Sequence, residues 1–399
     1  MKKILWLVPC IPHDQIRHAG GQNCNYYLNY FLSTGQFDIS LIGLDYIQNK
    51  QFDHWAEKGI ETDIYYRDCT RMDTIIRKTI GIFSLVNIWS QYNGLILTYE
   101  RMQIMKRLKQ YKYLHGEPEY IIFHWTVMGL LQLDVKKIFP SSKTILIEED
   151  VTYQNYQRRY ENEMFPLRKG YYHFRYQHLK MDELRSVQTS DKTVVLNIKD
   201  KKMLLSDGIK EGKVFKVSPF FHKYYDVSNK PDGNMILFYG AMNRSENYES
   251  VIWFIENVMP KLENKVCLEV IGANPPHKLL LKGNNNVKIE RYVEDISHYL
   301  EKAVCMVVPL LNGAGIKIKV LEGMTAGLTI LTNRIGIEGI EAVPGKEYMH
   351  CENVNDYVQS ISQLLEHPEL CEQYGNAARR LTLEQFNVDQ DLDRLIKLM

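Results

Sequence analysis

Residues 309–327 read PLLNGAGIKIKVLEGMTAG. The apolar run Val304–Pro309 is a buried strand by its pattern, and Gly313 and Gly315 punctuate the loop that follows it. A helical pattern then runs to about Gly327. Strand, glycine-bearing loop and helix in that order form one arm of a parallel α/β unit. The first amides of such a helix lack partners inside it and carry the positive end of its dipole, so they suit an anion. Lys317 and Lys319 add charge at the same place. Glu322 stands about one turn beyond Lys319, where a carboxylate can accept hydrogen bonds from vicinal sugar hydroxyls. A nucleoside diphosphate fits both halves. The plainer alternative is a glycine-rich turn with two solvated lysines and one ion pair on the helix.

The same alternation extends in both directions. Toward the N-terminus, strands are predicted at Ile4–Val8, Ile39–Leu44, Tyr120–His124, Thr144–Ile147, Val194–Asn197 and Val214–Ser218. Helical patterns fall at about 23–33, within 68–115, to Phe139 and over 151–186, and Gly20 and Gly21 are read as loop. The second half restarts with Met235–Tyr239, a helix over 246–263, and strands at Val266–Ile271, Val287–Glu290, Val304–Pro309 and Thr329–Thr332. Helices fill most of 353–399. Alternation of this kind predicts two open parallel sheets with helices on both faces. The expected domains are 1–219 and 234–385, with a linker at 220–233 around Pro219, Pro231 and Gly233. Residues 386–399 are expected to form a C-terminal helix, with a return to the first domain as one option. A cleft between the domains, lined by the loops after Val8, His124, Tyr239, Ile271, Pro309 and Thr332, is the expected site.

Length and composition agree with two ordinary cores. The chain has 399 residues, 45% hydrophobic and 24% charged, with a net charge of +1. The balance is uneven: residues 1–230 carry 33 basic and 25 acidic side chains, and residues 231–399 carry 16 and 23. Two domains with different partners are implied, and no strongly basic balance points to nucleic acid. Seven widely spaced cysteines without a CxxC argue against disulfides and zinc and for a reducing cytosol. The start MKKILWLVPCIP is too short and too soon broken by proline for a signal peptide, and no run is long enough to span a membrane.

Other chemistry is weakly signalled. GxGxxG fails at Ile318, and no phosphate loop of the GxxxxGK[ST] kind occurs. Asp389, Asp391 and Asp393 lie in a helical pattern, and Glu148, Glu149 and Asp150 follow a strand without a histidine or further acid nearby, so no metal is expected. Residues 101–113, RMQIMKRLKQYKY, read as a basic amphipathic helix. One expectation for it is peripheral contact with an anionic membrane; the other is an ordinary solvated face. The Tyr- and Arg-rich stretch 153–176 suits acceptor sugars, a dimer or simple packing.

The stretch from Pro309 to Gly339, with GAGIKIKVLEGM and NRIGIEG, resembles the donor-binding signature of glycosyltransferase family 4. Tyr239 and Gly240 followed by Asn247, Trp253, Phe254 and Pro260 are similar to that family's first helical unit, and Val293–Leu300 to its segment before the donor strand. Pro12 through Gly20 and Gly21 to Asn25 resembles its first loop. Residues 45–115 carry almost none of the likeness. The resemblance implies the GT-B fold, two Rossmann-like domains, and a retaining, metal-independent transfer from a nucleotide-diphosphate sugar to a glycan or lipid-linked acceptor. It places bacterial surface polysaccharide synthesis at the cytoplasmic side of the membrane, with no cofactor. It implies donor contacts from Gly20, Gly21, Gly240, Gly313, Ala314, Gly315, Ile316 and Glu322, and puts His124 beside the transferred sugar. The family's first Glu is replaced by Ala314. Its Arg and Lys after the Gly240 strand are replaced by Ala241 and Asn247. Lys317 and Lys319 are then the expected suppliers of charge, with Arg244 and Arg334 in reserve. A sugar-nucleotide epimerase on the same scaffold and a non-catalytic partner subunit are the competing readings.

Overall fold

The computed structural model describes residues 1–68, 95–263 and 265–399. They divide into two compact units, Met1–Phe220 with Val388–Met399, and Phe221–Asn387. Of the helical stretch expected within 68–115, residues 69–94 lie outside the described residues.

The first unit is built on β1 (Lys2–Val8), β2 (Phe37–Tyr46), β3 (Glu61–Arg67), β4 (Tyr120–His124), β5 (Lys143–Glu148), β6 (Lys192–Val195) and β7 (Val214–Lys216). Every pairing is parallel, in the order β3-β2-β1-β4-β5-β6-β7. Strands covered on both faces read as continuous apolar runs, and Ile4–Val8 and Tyr120–His124 are buried throughout. The order reverses at β1 and β4, where the loops after Val8 and His124 diverge. Helices α1 (Ala19–Ser33), α2 (Thr98–His115), α3 (Tyr153–Asn162) and α4 (Pro166–Thr189) belong to this unit.

Gly20 and Gly21, expected in a loop, are instead the second and third residues of α1. His18 caps that helix, its Nδ1 accepting from the Gly21 amide at 3.0 Å. Both glycines answer to packing. A Cβ on Gly20 would stand 2.7 Å from the Trp125 ring, and one on Gly21 2.1 Å from Ile16 Cδ1. Helix α2 fits the ordinary-helix reading of 101–113. Ile104, Leu108 and Tyr111 are buried in the core with Met105 packed against it, while Met102 is exposed. Among the described residues, no helix is long and apolar enough to cross one.

The second unit carries β8 (Met235–Tyr239), β9 (Cys267–Ile271), β10 (Val287–Glu290), β11 (Cys305–Val308), β12 (Ile330–Thr332) and β13 (Met349–His350). They are all parallel, in the order β10-β9-β8-β11-β12-β13. The reversal falls between β8 and β11, so the loops after Tyr239 and Val308 diverge there. Helix α5 (Ser245–Asn257) follows β8, and α6 (Ile318–Thr325) follows β11. The stretch expected as linker is packed into this unit from Phe221 on. Phe221 is buried in its core, Tyr224 N donates to Thr325 Oγ1 at 3.0 Å, and Arg379 holds the Val227 carbonyl at 2.6 Å.

The last helix, α7 (Val388–Lys397), packs in the first unit. Its three aspartates, expected as a solvated helix start, take donors from that unit. Tyr26 Oη donates to Asp389 at 2.5 Å and Tyr30 Oη to Asp393 at 2.8 Å. Ser218 gives its amide and hydroxyl to Asp391 at 2.9 and 2.7 Å.

Candidate functional site

In the second unit, the loop after β11 reaches α6 through two glycines in positive φ, Gly313 at +139° and Gly315 at +68°. Lys317 is still extended, and the helix begins at Ile318. The two lysines therefore do different things. Lys317 Nζ donates back to the carbonyls of Gly315 at 2.5 Å and Ala314 at 3.2 Å, and lies 3.8 Å from Glu338. It braces the loop. Lys319 points to the end of β8. Its Nζ donates to Asn247 Oδ1 at 2.7 Å and lies 4.3 Å from the centroid of the Phe238 ring. A Cβ on Gly240, where φ is +153°, would stand 3.3 Å from that Nζ. The Asn247 amide is oriented in turn by the Ala241 carbonyl, at 2.9 Å from Nδ2.

Burial is the main force on Lys319, aided by the positive charges of Lys317 and Arg244, and it pushes the group down to about 7. Glu246 opposes the shift. An ammonium has three donors. An anion brought beside Nζ would restore its charge.

Glu322 is 8% exposed. Tyr239 Oη donates to its Oε2 at 2.5 Å, and the His222 amide to its Oε1 at 3.3 Å. Burial pushes its carboxyl up to about 7, against the pull of those two donors. Tyr239 Oη also lies 3.1 Å from the Lys319 carbonyl, tying β8 to α6. Lys319, Asn247, Tyr239 and Glu322 thus form one cluster at the reversal point of this sheet.

The reserve arginines are differently placed. Arg244 is exposed just before α5 and pairs with Glu246 at 2.5 Å. Arg334 is exposed and pairs with Glu352 at 3.4 Å. Gly315 is buried, while Ala314 and Ile316 are half-buried on the same loop.

The first unit places His124 at the end of β4. The residue is 1% exposed, and its Nε2 lies 2.9 Å from Glu149 Oε1. Glu149 Oε2 accepts from Asn23 Nδ2 at 2.7 Å, and Asn23 Oδ1 accepts from the Phe220 amide at 2.6 Å. This chain ties β4, the end of β5 and α1 to residue 220. His124 is thus an internal partner of Glu149. Trp125, the next residue, adopts φ of +74°, which is uncommon for a bulky side chain. Glu148 and Asp150 are equally engaged: Thr126 Oγ1 donates to Glu148, and Thr152 Oγ1 to Asp150 at 3.1 Å.

The sequence alone did not pair Tyr239 with Glu322 or Glu149 with His124 and Asn23, and it took Asn247 for a missing cation. Asn247 and Lys319 are 72 residues apart, and only the β8–β11 pairing brings them together.

Residues 233–367 match the family described as Glycosyl transferases group 1. A protein in the cps region of Klebsiella pneumoniae, described as uncharacterized, is 25% identical over 295 residues, 67% of this chain and 70% of that protein. Among solved structures, a sucrose-phosphate synthase from Thermosynechococcus elongatus superposes with a TM-score of 0.70 at 12% identity, over 100% of this chain and 98% of that one. S. aureus TarM, solved with UDP among its ligands, gives 0.67 at 12%, over 100% and 99%. Anabaena HepE, solved with UDP-glucose, gives 0.65 at 9%, over 100% of both chains. The chain thus has the GT-B fold of glycosyltransferases, and the larger part of its second unit matches the group 1 family.

Proposed function

We propose that the protein is a retaining, metal-independent glycosyltransferase acting on a nucleoside-diphosphate sugar. The observation that carries this is the half-buried Lys319 ammonium, held by one amide oxygen beside the backbone of Gly240. A cation so placed at a sheet's reversal point suits a diphosphate, and the start of α6 faces the same charge.

The chemistry asked of these residues is stabilisation of a leaving group. The bond from the anomeric carbon to the diphosphate oxygen breaks, and the acceptor oxygen bonds to that carbon on the same face. The acceptor's proton passes to the departing phosphate. Charge grows on the diphosphate as the bond lengthens, so Lys319 and the α6 amides act most strongly in the transition state. Glu322 and Tyr239 hold the ribose, and Lys317 keeps the glycine loop closed. His124 transfers no proton; it holds the β4 end in place.

UDP-sugars are the first donors to try, because TarM and HepE were solved with UDP or UDP-glucose. The relative in a cps region supports a role in capsule or a similar surface polysaccharide, with a glycan or lipid-linked acceptor. The test is release of nucleoside diphosphate from UDP-, GDP- and ADP-sugars in the presence of EDTA, followed by the anomeric configuration of any glycoside formed. Release from one donor under chelation and retention in the product are expected. Activity that needs Mg²⁺ or Mn²⁺, or an inverted product, would overturn the mechanism.

A further inference from the structure

Helices α3 and α4 form a hairpin on the first unit, joined by Glu163, Met164 and Phe165. Its turn is ordered: Glu163 Oε1 accepts from the Phe165 amide at 3.0 Å, and Pro166 opens α4 with its φ already set for a helix. Yet the turn presents large apolar side chains to water. Met164 is 92% exposed, Leu167 79% and Phe165 55%. Isolated exposed apolar residues are ordinary, but three within four positions on one turn are not. Tyr171, one helical turn past Leu167, extends the patch along α4.

Basic groups collar these residues. Arg168 is exposed directly after Leu167. Lys169 reaches over the Tyr160 ring at 5.5 Å, and the Arg159 guanidinium over Tyr172 at 6.0 Å. Such long side chains lay their stems on apolar surface and keep their charges at its rim. Glu161 and Glu163 are the acids of the turn, and Glu163 is engaged in the cap. The excess of basic residues over 1–230 draws the whole unit toward a negative surface. Helix α2 buries Ile104, Leu108 and Tyr111 in the core, and its exposed apolar residues, Tyr99, Met102, Tyr113 and Leu114, are split between its two ends.

We propose that the α3–α4 turn docks on an anionic lipid bilayer, with Met164, Phe165 and Leu167 entering the interface and Arg159, Arg168 and Lys169 meeting lipid phosphates. An apolar turn with a basic collar fits a fluid surface that needs no matching groove. The proposal does not depend on the transferase reading.

The test is cosedimentation of the full chain with vesicles of phosphatidylcholine, alone or mixed with phosphatidylglycerol. Wild type should pellet with the mixed vesicles and lose this in high salt. A Phe165→Ser/Leu167→Ser double variant should partition at least about tenfold less, as the loss of two apolar anchors requires. Arg168→Glu/Lys169→Glu should lose a similar factor on mixed vesicles only. Phe165, Leu167 and Arg168 are exposed and Lys169 is half-buried at the surface, so the melting temperatures of both variants should stay near wild type. Wild type that stays in the supernatant with mixed vesicles overturns the proposal, as do variants that pellet equally. So does a wild-type dimer in solution that Leu167→Ser dissolves, which would make a second copy of the chain the occupant.

Discussion

Lys319 Nζ donates to Asn247 Oδ1 across 2.7 Å, and the Asn247 amide cannot turn away because its Nδ2 is held by the Ala241 carbonyl. A lysine fixed in this way, over an aromatic ring and beside a glycine backbone, is a point charge aimed at one place. Lys319→Met should therefore lower kcat about 10²–10³-fold, as for other groups that stabilise developing negative charge, with a smaller effect on donor KM. Lys317→Ala should act differently, since Lys317 is already engaged with the carbonyls of Gly315 and Ala314. Its expected effect is a lower melting temperature and a loss of kcat under about tenfold. Steady-state kinetics of the two variants on one donor separate the roles.

Lys319 also predicts a pH dependence. Burial holds its group near 7, below the ordinary 10.5, and a bound diphosphate favours the charged form. Binding then takes up a proton, and affinity for a nucleotide sugar should fall as pH rises above about 7. Asn247→Asp puts a carboxylate beside the ammonium and keeps it charged, so the decline should begin at a higher pH by about one unit or more. Asn247→Ala should weaken binding on both sides of the break. Titration calorimetry across pH 6 to 9 checks all three; an Asn247→Ala profile that overlays wild type removes Asn247 from the site.

Glu322, whose carboxyl is shifted up where the Lys319 group is shifted down, gives a stability prediction. Its carboxyl is raised in the folded chain from 4.5 to about 7, so the folded state binds the proton more tightly than the unfolded one. Stability from this group is present below about 4.5 and is lost as pH rises toward 7. Compared with Glu322→Gln, wild type should lose melting temperature over that window. In the binding assay, Glu322→Ala should weaken a nucleoside diphosphate by about 1–3 kcal/mol, the usual loss for a charged hydrogen-bonding partner.

Asp391 tests the packing of the last helix. It accepts two hydrogen bonds from Ser218. Asp391→Ala leaves both donors without that acceptor and should destabilise the chain by about 1–3 kcal/mol in denaturant unfolding, with little change in nucleotide affinity.

Much of this architecture can be read from apolar periodicity. Met235–Tyr239 and Tyr120–His124 are strands at the bounds their patterns predict, because runs buried on both faces leave a plain signature. Strand β3 escapes that reading. Its sequence ETDIYYR is partly exposed at a sheet edge, where only Ile64 is buried. The two residues of β13 are too few to show a period. Gly20 and Gly21 mislead because glycine usually marks a loop, whereas here Trp125 and Ile16 leave no room for a side chain on the helix. The site divides the same way. The glycine-bearing loop after β11 and the helix that follows it are local and legible. The partners of Lys319, Glu322 and His124 come from distant strands and helices, so no local pattern reveals them.

Calorimetric titration of the full chain with UDP, GDP and ADP tests most directly whether a nucleoside diphosphate meets Lys319. One of the three should bind wild type, and Lys319→Met should weaken it at least about tenfold, the loss of a charge-assisted contact. If none of the three binds, or if Lys319→Met binds as tightly as wild type, the diphosphate does not lie against this lysine and the account is wrong.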